Sequence, residues 1–382
     1  MAGSNYNQRM TKRMETEQAV VYHGNCLDEL KNIPDNHVDA IVTDPPYGLG
    51  DSDPDYILSA LKMWMNGDRS HIPAGKGFMG KQWDAFVPPP AVWDECFRVL
   101  KPGGHMLVFA GTRTIDLMGL SVRMAGFEIR DSLTWIYAQG FPKSLDISKA
   151  IDKAAGAERK VIGKAAYHSN QHSFADAGKY SGTDFRADIT APATPEAQQW
   201  SGWGTALKPA SEPILMARKT LSEKNVAQNV LKWGTGGLDI DGSKVGTESN
   251  RYPSNVMLSH AEECDSWCVE GCPVEQTRDA SKFFFVSKAT TKDRNSGEVT
   301  NIHPTVKPTD LMRYLVKMVC PEGAIVLDPF TGSGSTGKAS ILEGRKFIGI
   351  EMTDEYLPII ETRLTHAMTE ARLDLPRVSL PD

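Results

Sequence analysis

The chain has 382 residues, of which 40% are hydrophobic and 24% are charged, and its net charge is −6 at pH 7. This composition is typical of a globular protein and excludes collagen-like and largely disordered chains. The charge excludes a uniformly basic surface, although nucleic-acid binding needs only a local basic face. The chain has no run of 18 apolar residues and its first 18 residues are polar, so we expect neither a transmembrane helix nor a secretory signal.

Strands and helices alternate over the first 140 residues. Residues 1–18 are predicted to form a mobile tail. The pattern then predicts, in chain order, a strand at 19–24, a helix at 26–32, a strand at 38–43, a helix at 92–100, a strand at 105–110, a helix at 114–126 and a strand at 127–137. This alternation favours βαβ units and a parallel sheet.

The middle of the chain differs from both ends. Periodicity is poor from residue 141 to about 300, and residues 164–205 are predicted to be a long or partly disordered loop. A strand-like run at 212–219 interrupts this region. The pattern then predicts a helix at 307–320, a strand at 324–330, a Gly-rich turn and helix at 332–344, a strand at 346–351 and a last helix at 355–373.

A Gly-rich turn, DPFTGSGSTG (328–337), follows the predicted strand at 324–330. Glycines let a ligand approach the backbone, and a helix N-terminus offers free N–H groups, which suits a nucleotide-like ligand. The next strand ends at Glu351, whose carboxylate can accept hydrogen bonds from both hydroxyls of a ribose. The turn lacks the Gly-Lys-Ser/Thr ending of a P-loop. The alternative is a tight turn at a helix start, with Glu351 simply exposed.

The tetrapeptide Asp44-Pro45-Pro46-Tyr47 directly follows the predicted strand at 38–43. Its two prolines fix an extended turn and remove two N–H donors, so the Pro45 carbonyl is free to point at a ligand. This carbonyl and the Asp44 carboxylate are two acceptors aimed at one place, which suits an exocyclic amino group. Tyr47 offers a flat face on which a base can stack. A rigid Pro-rich turn is the alternative for this motif alone.

Together these motifs resemble those of the S-adenosylmethionine-dependent DNA amino-methyltransferases of the N6-adenine/N4-cytosine family. DPPY (44–47) matches the catalytic motif of that family, and DPFTGSGSTG (328–337) matches its cofactor motif. The order of the two motifs, with an insert between them, resembles the β-class. The stretches GWGTALKPASEPILMARK (202–219) and RYPSNVMLSH (251–260) resemble phage-type members of the family. HPTVKPTDLMRYLV (303–316) resembles the segment before the cofactor loop, and FIGIE (347–351) resembles the ribose-binding strand end.

The resemblance implies an α/β fold, a circularly permuted Rossmann-like sheet with an inserted target-recognition region. The catalytic half would span residues 19–140, the target-recognition insert 141–300 and the cofactor-binding half 301–372, followed by a tail at 373–382. The implied partner is double-stranded DNA, with no membrane association. Family members are often dimers, so a homodimer is also implied. No nuclease motif is evident, so we expect an orphan enzyme or the separate modification subunit of a restriction–modification system.

The implied reaction is methyl transfer from S-adenosylmethionine to the N6 amino group of a flipped-out adenine. In this family, Asp before Pro-Pro-Tyr is more typical of adenine. Asp44 and the Pro45 carbonyl would favour a tetrahedral, nucleophilic nitrogen, and Tyr47 would stack on the base. N4-cytosine methylation is the first alternative. RNA or protein methylation, and a DNA-binding protein on an inactive methyltransferase fold, are disfavoured alternatives.

The resemblance also implies a set of cofactor-binding residues: Asn25, Thr305, Lys307, Asp328, Phe330, Gly332, Ser333, Gly334 and Glu351. Asn25 stands where the family usually has Asp, and it could instead cap the helix at 26–32. Lys307 could pair with the cofactor carboxylate or be a solvated lysine at a helix start, and Thr305 has the same two alternatives. Phe330 is predicted to line the cofactor pocket, with core packing as the alternative.

A cluster of four soft ligands, His260, Cys264, Cys268 and Cys272, lies within thirteen residues. Zinc binds Cys3His sets tetrahedrally, so the cluster predicts a structural zinc site that would help to fold the recognition region. The alternative is three reduced cysteines in a loop. Without a secretory signal, the six cysteines of the chain indicate a reducing, cytoplasmic compartment rather than a disulfide framework.

Overall fold

The structure is a computed structural model. It describes residues 12–50, 53–75, 77, 82–137, 144–164, 188–244, 252–260, 264, 268–269, 272–276, 284–286, 294–295 and 301–374. The chain divides into two compact units, one made of Met1–Ala138 with Ser211–Asp382 and the other of Gln139–Ala210.

The strands and helices are numbered in chain order. The strands are β1 Lys12–Glu15, β2 Ala19–His23, β3 Val38–Thr43, β4 Leu100–Phe109, β5 Glu128–Ile136, β6 Val161–Lys164, β7 Asp188–Thr190, β8 Ser211–Arg218, β9 Val256–Ser259, β10 Phe284–Val286, β11 Ile325–Asp328 and β12 Lys346–Glu351. The helices are α1 Cys26–Leu30, α2 Pro54–Met65, α3 Pro90–Val99, α4 Ile115–Met124, α5 Ile147–Ala154, α6 Pro195–Gln199, α7 Val226–Trp233, α8 Pro273–Gln276, α9 Thr309–Val319, α10 Ser335–Leu342 and α11 Leu357–Asp374.

The larger unit is built on one mixed sheet, with the described strands in the order β1-β2-β12-β11-β3-β4-β8-β5-β9-β10. Strands β2, β12, β11, β3 and β4 are parallel neighbours, and β8 runs antiparallel between β4 and β5. After β11 the chain crosses to β12 on one side, whereas after β3 it crosses to β4 on the other. The carboxyl ends of β11 and β3 therefore form a topological switch point, where open α/β sheets bind ligands.

Strand β3 lies at the centre of the core, and all six of its residues are buried. Its side chains alternate between two faces, as a pleated strand requires. Ile41 packs with Trp93 and Val108 on one face, and Val42 packs with Leu315 on the other. Burial on both faces explains why this strand is a continuous apolar run in the sequence.

Most predicted elements at the two ends of the chain are confirmed, and the boundaries that differ have physical reasons. The strand predicted at 105–110 begins at Leu100, because Lys101 to Gly104 continue the strand instead of ending a helix. Part of the predicted tail forms β1, which pairs antiparallel with β2. The last helix ends at Asp374, and residues 1–11 and 375–382 lie outside the described residues.

The predicted insert of 141–300 is not one separate region. Strand β8, which the sequence placed inside it, pairs with β4 on one side and β5 on the other. Strand β9 pairs with β5, and β10 with β9. The run at 212–219 has a local strand pattern, but the register partners of β8 lie 75 to 113 residues earlier, which no local pattern can specify.

The smaller unit contains α5, β6, β7 and α6 among its described residues, and β6 pairs antiparallel with β7. Buried Asp152 is its organising side chain. Its carboxylate accepts hydrogen bonds from Arg159 Nη1 (2.6 Å), from the backbone N–H of Ala193 (3.0 Å) and from Thr194 Oγ1 (2.8 Å). The predicted loop at 164–205 therefore contains β7 and α6, and residues 165–187 lie outside the described residues.

Candidate active site

Two Asp-Pro turns lie side by side at the carboxyl edge of the sheet. Asp44 directly follows β3 and Asp328 ends β11, and these strands are parallel neighbours. Thr43 Oγ1 donates a 2.6 Å hydrogen bond to Asp328 Oδ1, which ties the two turns together. The fold therefore brings together the two motifs that lie far apart in the sequence.

The Gly-rich turn has backbone angles that favour glycine. Gly332 and Gly334 have φ angles of 54° and 78°, in the left-handed region. A Cβ on Gly332 would lie 3.0 Å from Nε2 of His303, so the close approach of this side chain also favours glycine. The turn then enters α10, whose first N–H groups have no acceptor within the helix. This arrangement can receive the polar groups of a nucleotide-like ligand.

Glu351 is tied to the Gly-rich turn from the end of the neighbouring strand β12. Its Oε2 accepts a hydrogen bond from the N–H of Gly332, and its Oε1 accepts one from the N–H of Thr353, both at 2.8 Å. Burial raises the pKa of Glu351 above its ordinary value. Since each carboxylate oxygen has two lone pairs, both oxygens can accept a further hydrogen bond from a ligand.

Asp328 is 2% exposed. Its burial raises the pKa of the carboxyl to about 6, although hydrogen bonds from Thr43 and from the N–H of Phe330 act in the opposite direction. Its bonds to Thr43 and Phe330 shape the start of the turn. The Phe330 ring is half-buried, and its centroid lies 6.2 Å from that of the Trp93 ring. Phe330 therefore contacts the core and is also partly exposed.

Arg363 supports the Gly-rich turn from α11. It is 1% exposed, and its Nη1 donates to the carbonyl oxygen of Ser333 (2.5 Å) and lies 2.9 Å from Ser333 Oγ and 3.2 Å from Ser335 Oγ. The Ser333 side chain thus faces a protein cation. Sequence reasoning missed Arg363, because one arginine in an amphipathic helix gives no signal of burial.

The second turn carries a compact cluster of polar side chains around Asp44. The Tyr47 hydroxyl is 2.8 Å from Asp44 Oδ1 and 2.9 Å from Glu212 Oε2, and its single hydrogen can be donated to one of them at a time. Lys307 Nζ donates to Asp44 Oδ2 at 2.7 Å and lies 3.1 Å from Glu212 Oε2. The Lys307 Nζ is also 4.9 Å from the centroid of the Phe109 ring.

The electrostatics of this cluster are those of one cation held between two carboxylates. Burial opposes the charge of Lys307, but Asp44 and Glu212 raise its pKa above the ordinary value. Burial and the same two carboxylates raise the pKa of Tyr47. The side chain of Lys307 is 8% exposed, whereas those of Asp44 and Glu212 are 23% and 20% exposed. Asp44 therefore remains open to a ligand, while Lys307 is enclosed.

The backbone of the DPPY turn is fixed on both sides. Thr114 Oγ1 donates to the carbonyl oxygen of Tyr47 at 2.6 Å, and the N–H of Gly48 donates to the buried Asp84 carboxylate at 3.0 Å. None of the hydrogen bonds among the described residues reaches the Pro45 carbonyl oxygen. Pro45 is buried, and the role of its carbonyl as an acceptor for a ligand stays a prediction.

The segment from His303 to Lys307 spans both turns. His303 lies against Gly332 and packs on the ring of Tyr356, with 4.6 Å between ring centroids. Its Nδ1 is hydrogen-bonded to the carbonyl oxygen of Thr305, whose side chain is exposed. Lys307 reaches the Asp44 cluster instead of standing free in solvent. Its partners here are two protein carboxylates, so pairing of Lys307 and Thr305 with a cofactor stays a prediction.

Asn25 takes the position of a helix cap. Its side-chain oxygen accepts a 2.9 Å hydrogen bond from the N–H of Leu27 at the start of α1. The preceding residue, Gly24, donates its N–H to the carbonyl oxygen of Glu351 at 3.0 Å. Asn25 is therefore both a cap and a neighbour of the strand end that carries Glu351.

A model of the DNA methylase family, which covers N6 and N4 methyltransferases, matches residues 38–362 of the chain. The chain belongs to this DNA methylase family. The match includes both turns and the Lys307 segment, whereas Asn25 and Arg363 lie outside it.

Two curated relatives extend along most of the methylase. One is the Type II methyltransferase M.HindIII of Haemophilus influenzae, 25% identical over 90% of this chain and 94% of the relative. The other is the DNA adenine methyltransferase YhdJ of Escherichia coli, 25% identical over 96% of this chain and 89% of the relative. Among solved structures, the cytosine-N4-specific PvuII DNA methyltransferase aligns over 95% of both chains with a TM-score of 0.49 and 14% identity.

Sequence reasoning missed Glu212 in this methylase. The residue lies at the start of β8 and is opposite Trp135 of β5 in the register. Because β8 runs antiparallel, its first residues lie at the edge of the sheet where β3 ends, and this brings Glu212 to Tyr47. A carboxylate at the first position of the strand predicted at 212–219 was the only signal in the sequence.

A separate cluster of the methylase contains His260, Cys264, Cys268 and Cys272. One ligand atom from each of these residues lies within 4.8 Å of those of the other three. Cys268 Sγ is 3.4 Å from His260 Nδ1 and Cys272 Sγ is 3.8 Å from it. Cys272 is buried and the other three are half-buried. The four predicted ligands are therefore brought together.

None of the described helices of the methylase combines the length and apolar character needed to cross a bilayer.

Proposed function

We propose that this methylase transfers a methyl group from S-adenosylmethionine to the N6 amino group of an adenine that is flipped out of double-stranded DNA. The observation that carries the proposal is the Asp44 cluster, which lies next to the Gly-rich turn at the switch point of the sheet. The relative YhdJ is a DNA adenine methyltransferase, which supports adenine as the base. Asp44 before Pro-Pro-Tyr supports it through the family resemblance.

The side chains near Gly332 fit the cofactor. Glu351 would accept hydrogen bonds from the ribose, and the turn around Gly332, Ser333 and Gly334 would lie against it at the start of α10. Asp328 would hold the turn in shape, and Phe330 would offer a partly exposed ring. S-adenosylmethionine supplies a methyl group on a sulfonium, which is already activated for transfer.

The Asp44 cluster would act on the amino group of the base. An amino nitrogen conjugated with a purine ring is a poor nucleophile, because its lone pair is delocalised into the ring. Hydrogen bonds from the two amino hydrogens to the Asp44 carboxylate and the Pro45 carbonyl would favour a tetrahedral nitrogen with a localised lone pair. This arrangement needs the carboxylate as an acceptor, and the ammonium of Lys307 lies 2.7 Å from its Oδ2.

Tyr47 would stack on the flipped base, since the target atom is inaccessible inside a duplex. Glu212 is a positioning residue in this account. Its carboxylate is 2.9 Å from the Tyr47 hydroxyl and would hold the ring in place while Asp44 turns to the substrate. Pro46 would fix the backbone between these two groups.

Target recognition is assigned to the unit at 139–210 and to the part of the chain between β8 and residue 300. A cytoplasmic location fits a DNA substrate and the free state of the described cysteines. A homodimer is the proposed oligomeric state, and it rests on the family resemblance alone.

The test is long-read sequencing of DNA from a methylation-deficient bacterium that expresses the chain, with Asp44→Ala as the control. The expected result is N6-methyladenine in one sequence motif, absent from the control. N4-methylcytosine would overturn the choice of base. Soluble protein that binds S-adenosylmethionine but leaves DNA unmodified would overturn the proposal of DNA methylation.

A further inference from the structure

We propose that His260, Cys264, Cys268 and Cys272 bind one zinc ion, and that this ion fastens the adjoining segment beside the active site. The proposal of the metal site does not depend on the proposed function. Its second part, an effect on DNA binding, rests on that function.

The distances fit tetrahedral zinc. Zinc bonds of about 2.3 Å to sulfur and 2.0–2.1 Å to nitrogen place neighbouring ligand atoms roughly 3.5–3.8 Å apart. The two distances from His260 Nδ1, 3.4 Å to Cys268 Sγ and 3.8 Å to Cys272 Sγ, lie close to this range. All four ligand atoms lie within 4.8 Å of one another, so a small inward movement completes the set.

The composition of the cluster also favours a metal over a disulfide. Three thiols cannot pair completely, and one disulfide would leave a thiol and an imidazole in contact. Thiolate and imidazole are the ligand types that zinc takes in closed structural sites. The described cysteines are all free of disulfides.

The surroundings show why a metal would be needed here. Among the residues that the structure describes, the apolar cluster at this place has three buried members, Leu258, Cys272 and Val274. Two of the ligands, Cys264 and Cys268, are half-buried and pack at its margin. A core of this size contributes little to folding, and structural zinc sites supply folding free energy where core material is sparse.

The position of the cluster connects it to the active site. His260 directly follows β9, which is parallel to β5. In the register, Trp135 of β5 lies opposite both Met257 of β9 and Glu212 of β8. Trp135 Nε1 also donates to Ser259 Oγ at 2.9 Å. The cluster therefore lies beyond the same edge of the sheet as Glu212, two strands away from it.

This edge is where a flipped base must enter, so a segment fastened here can contact the DNA around it. The zinc would hold Cys264, Cys268 and Cys272 to His260 at the end of β9. We assign the metal a structural role, with no part in the methyl transfer itself.

The first experiment measures zinc in the purified full chain and in Cys264→Ser, Cys268→Ser and Cys26→Ser. Cys26 lies at the start of α1, outside the cluster, and provides the matched control. The expected result is one zinc per chain in the wild type and in Cys26→Ser, with loss in both cluster variants. Substitution with Co²⁺ should give the visible spectrum of a tetrahedral, thiolate-bound ion. A wild type that neither retains zinc nor takes it up against a weak chelator would overturn the site, as would full zinc content in both cluster variants.

The second experiment measures the affinity of the same proteins for S-adenosylmethionine and for a DNA duplex. Cys268→Ser should bind the cofactor like the wild type and bind DNA at least about tenfold more weakly, because the segment must then be ordered at the cost of binding energy. If Cys268→Ser contains no zinc but binds DNA as tightly as the wild type, the proposed role of zinc in DNA binding is overturned. Stoichiometric zinc in a wild type that leaves DNA unmodified would support the metal site and overturn only the proposed function.

Discussion

Both turns of this methylase begin with Asp-Pro, but the two aspartate side chains lie in opposite environments. Asp328 is 2% exposed, bonded to Thr43 and to a backbone N–H, and its pKa is raised to about 6 by burial. The Asp44 side chain is 23% exposed and lies against the Lys307 ammonium. One carboxyl group therefore shapes a turn, and the other is paired with an ammonium group and accessible to a substrate. The groups around each aspartate set its role, because the residue type is the same in both turns.

The largest effect is expected from Lys307→Met. This change leaves Asp44 and Glu212 beside each other without a cation. The free energy of unfolding should fall by about 3 kcal/mol, which is the lower end of the range for breaking a buried ion pair. The lower end applies because both carboxylates are partly exposed. Methyl transfer should fall as well, and chemical denaturation and a transfer assay measure the two effects.

The exposed pair Lys31–Asp28 provides the matched control, since its side chains are 56% and 51% exposed. Lys31→Met should change the free energy of unfolding by less than about 1 kcal/mol. Equal losses in the two variants would contradict the picture of an enclosed Lys307.

Asp328→Asn tests the other turn. The folded-state pKa of about 6 lies above the unfolded value of about 3.9, so ionisation costs the folded state about 3 kcal/mol. This cost is absent below the unfolded pKa and complete above pH 6. The stability of the wild type relative to Asp328→Asn should therefore rise as the pH falls from 7 to 4. A difference that is independent of pH, measured by denaturant titration across this range, would contradict the burial of a titrating Asp328.

Tyr47→Ala should weaken binding of the flipped base. Stacking of a base on an aromatic ring contributes about 1–3 kcal/mol, so the KM for DNA should rise roughly tenfold to a hundredfold. Tyr47→Phe keeps the ring and should lose far less. Equal defects in the two variants, measured by steady-state methyl transfer, would assign the role to the hydroxyl instead.

The smallest effect is expected from Asn25→Ala. Loss of the cap on α1 should lower the free energy of unfolding by about 1 kcal/mol, while the affinity for S-adenosylmethionine stays unchanged. Asn25→Ser keeps a capping oxygen and should recover most of the loss. A clear fall in cofactor affinity without a fall in stability would show that Asn25 contacts the cofactor.

The sequence predicted the two turns because each one carries its own local signal, a buried strand followed by Pro or Gly at fixed positions. Strands β3 and β12 were predicted with their observed boundaries. Glu212 and Arg363 could not be found in this way. Their positions depend on the antiparallel pairing of β8 and on the packing of α11 against the turn, which are contacts between distant parts of the chain.

Lys307 was predicted from the sequence only in part. Its sequence context predicted a site residue, but its two partners come from the DPPY turn and from β8. The motif identified the residue, and only the fold identified the carboxylates that it compensates.

The most direct test of the account is the turnover number of Asp44→Asn at saturating DNA and S-adenosylmethionine, measured together with its affinity for the cofactor. The account predicts a fall in kcat of about 10²–10³, with cofactor affinity close to that of the wild type, because the acceptor acts on the amino group and not on the cofactor. Methyl transfer at the wild-type rate by a folded Asp44→Asn would contradict the central claim that the Asp44 carboxylate activates the base.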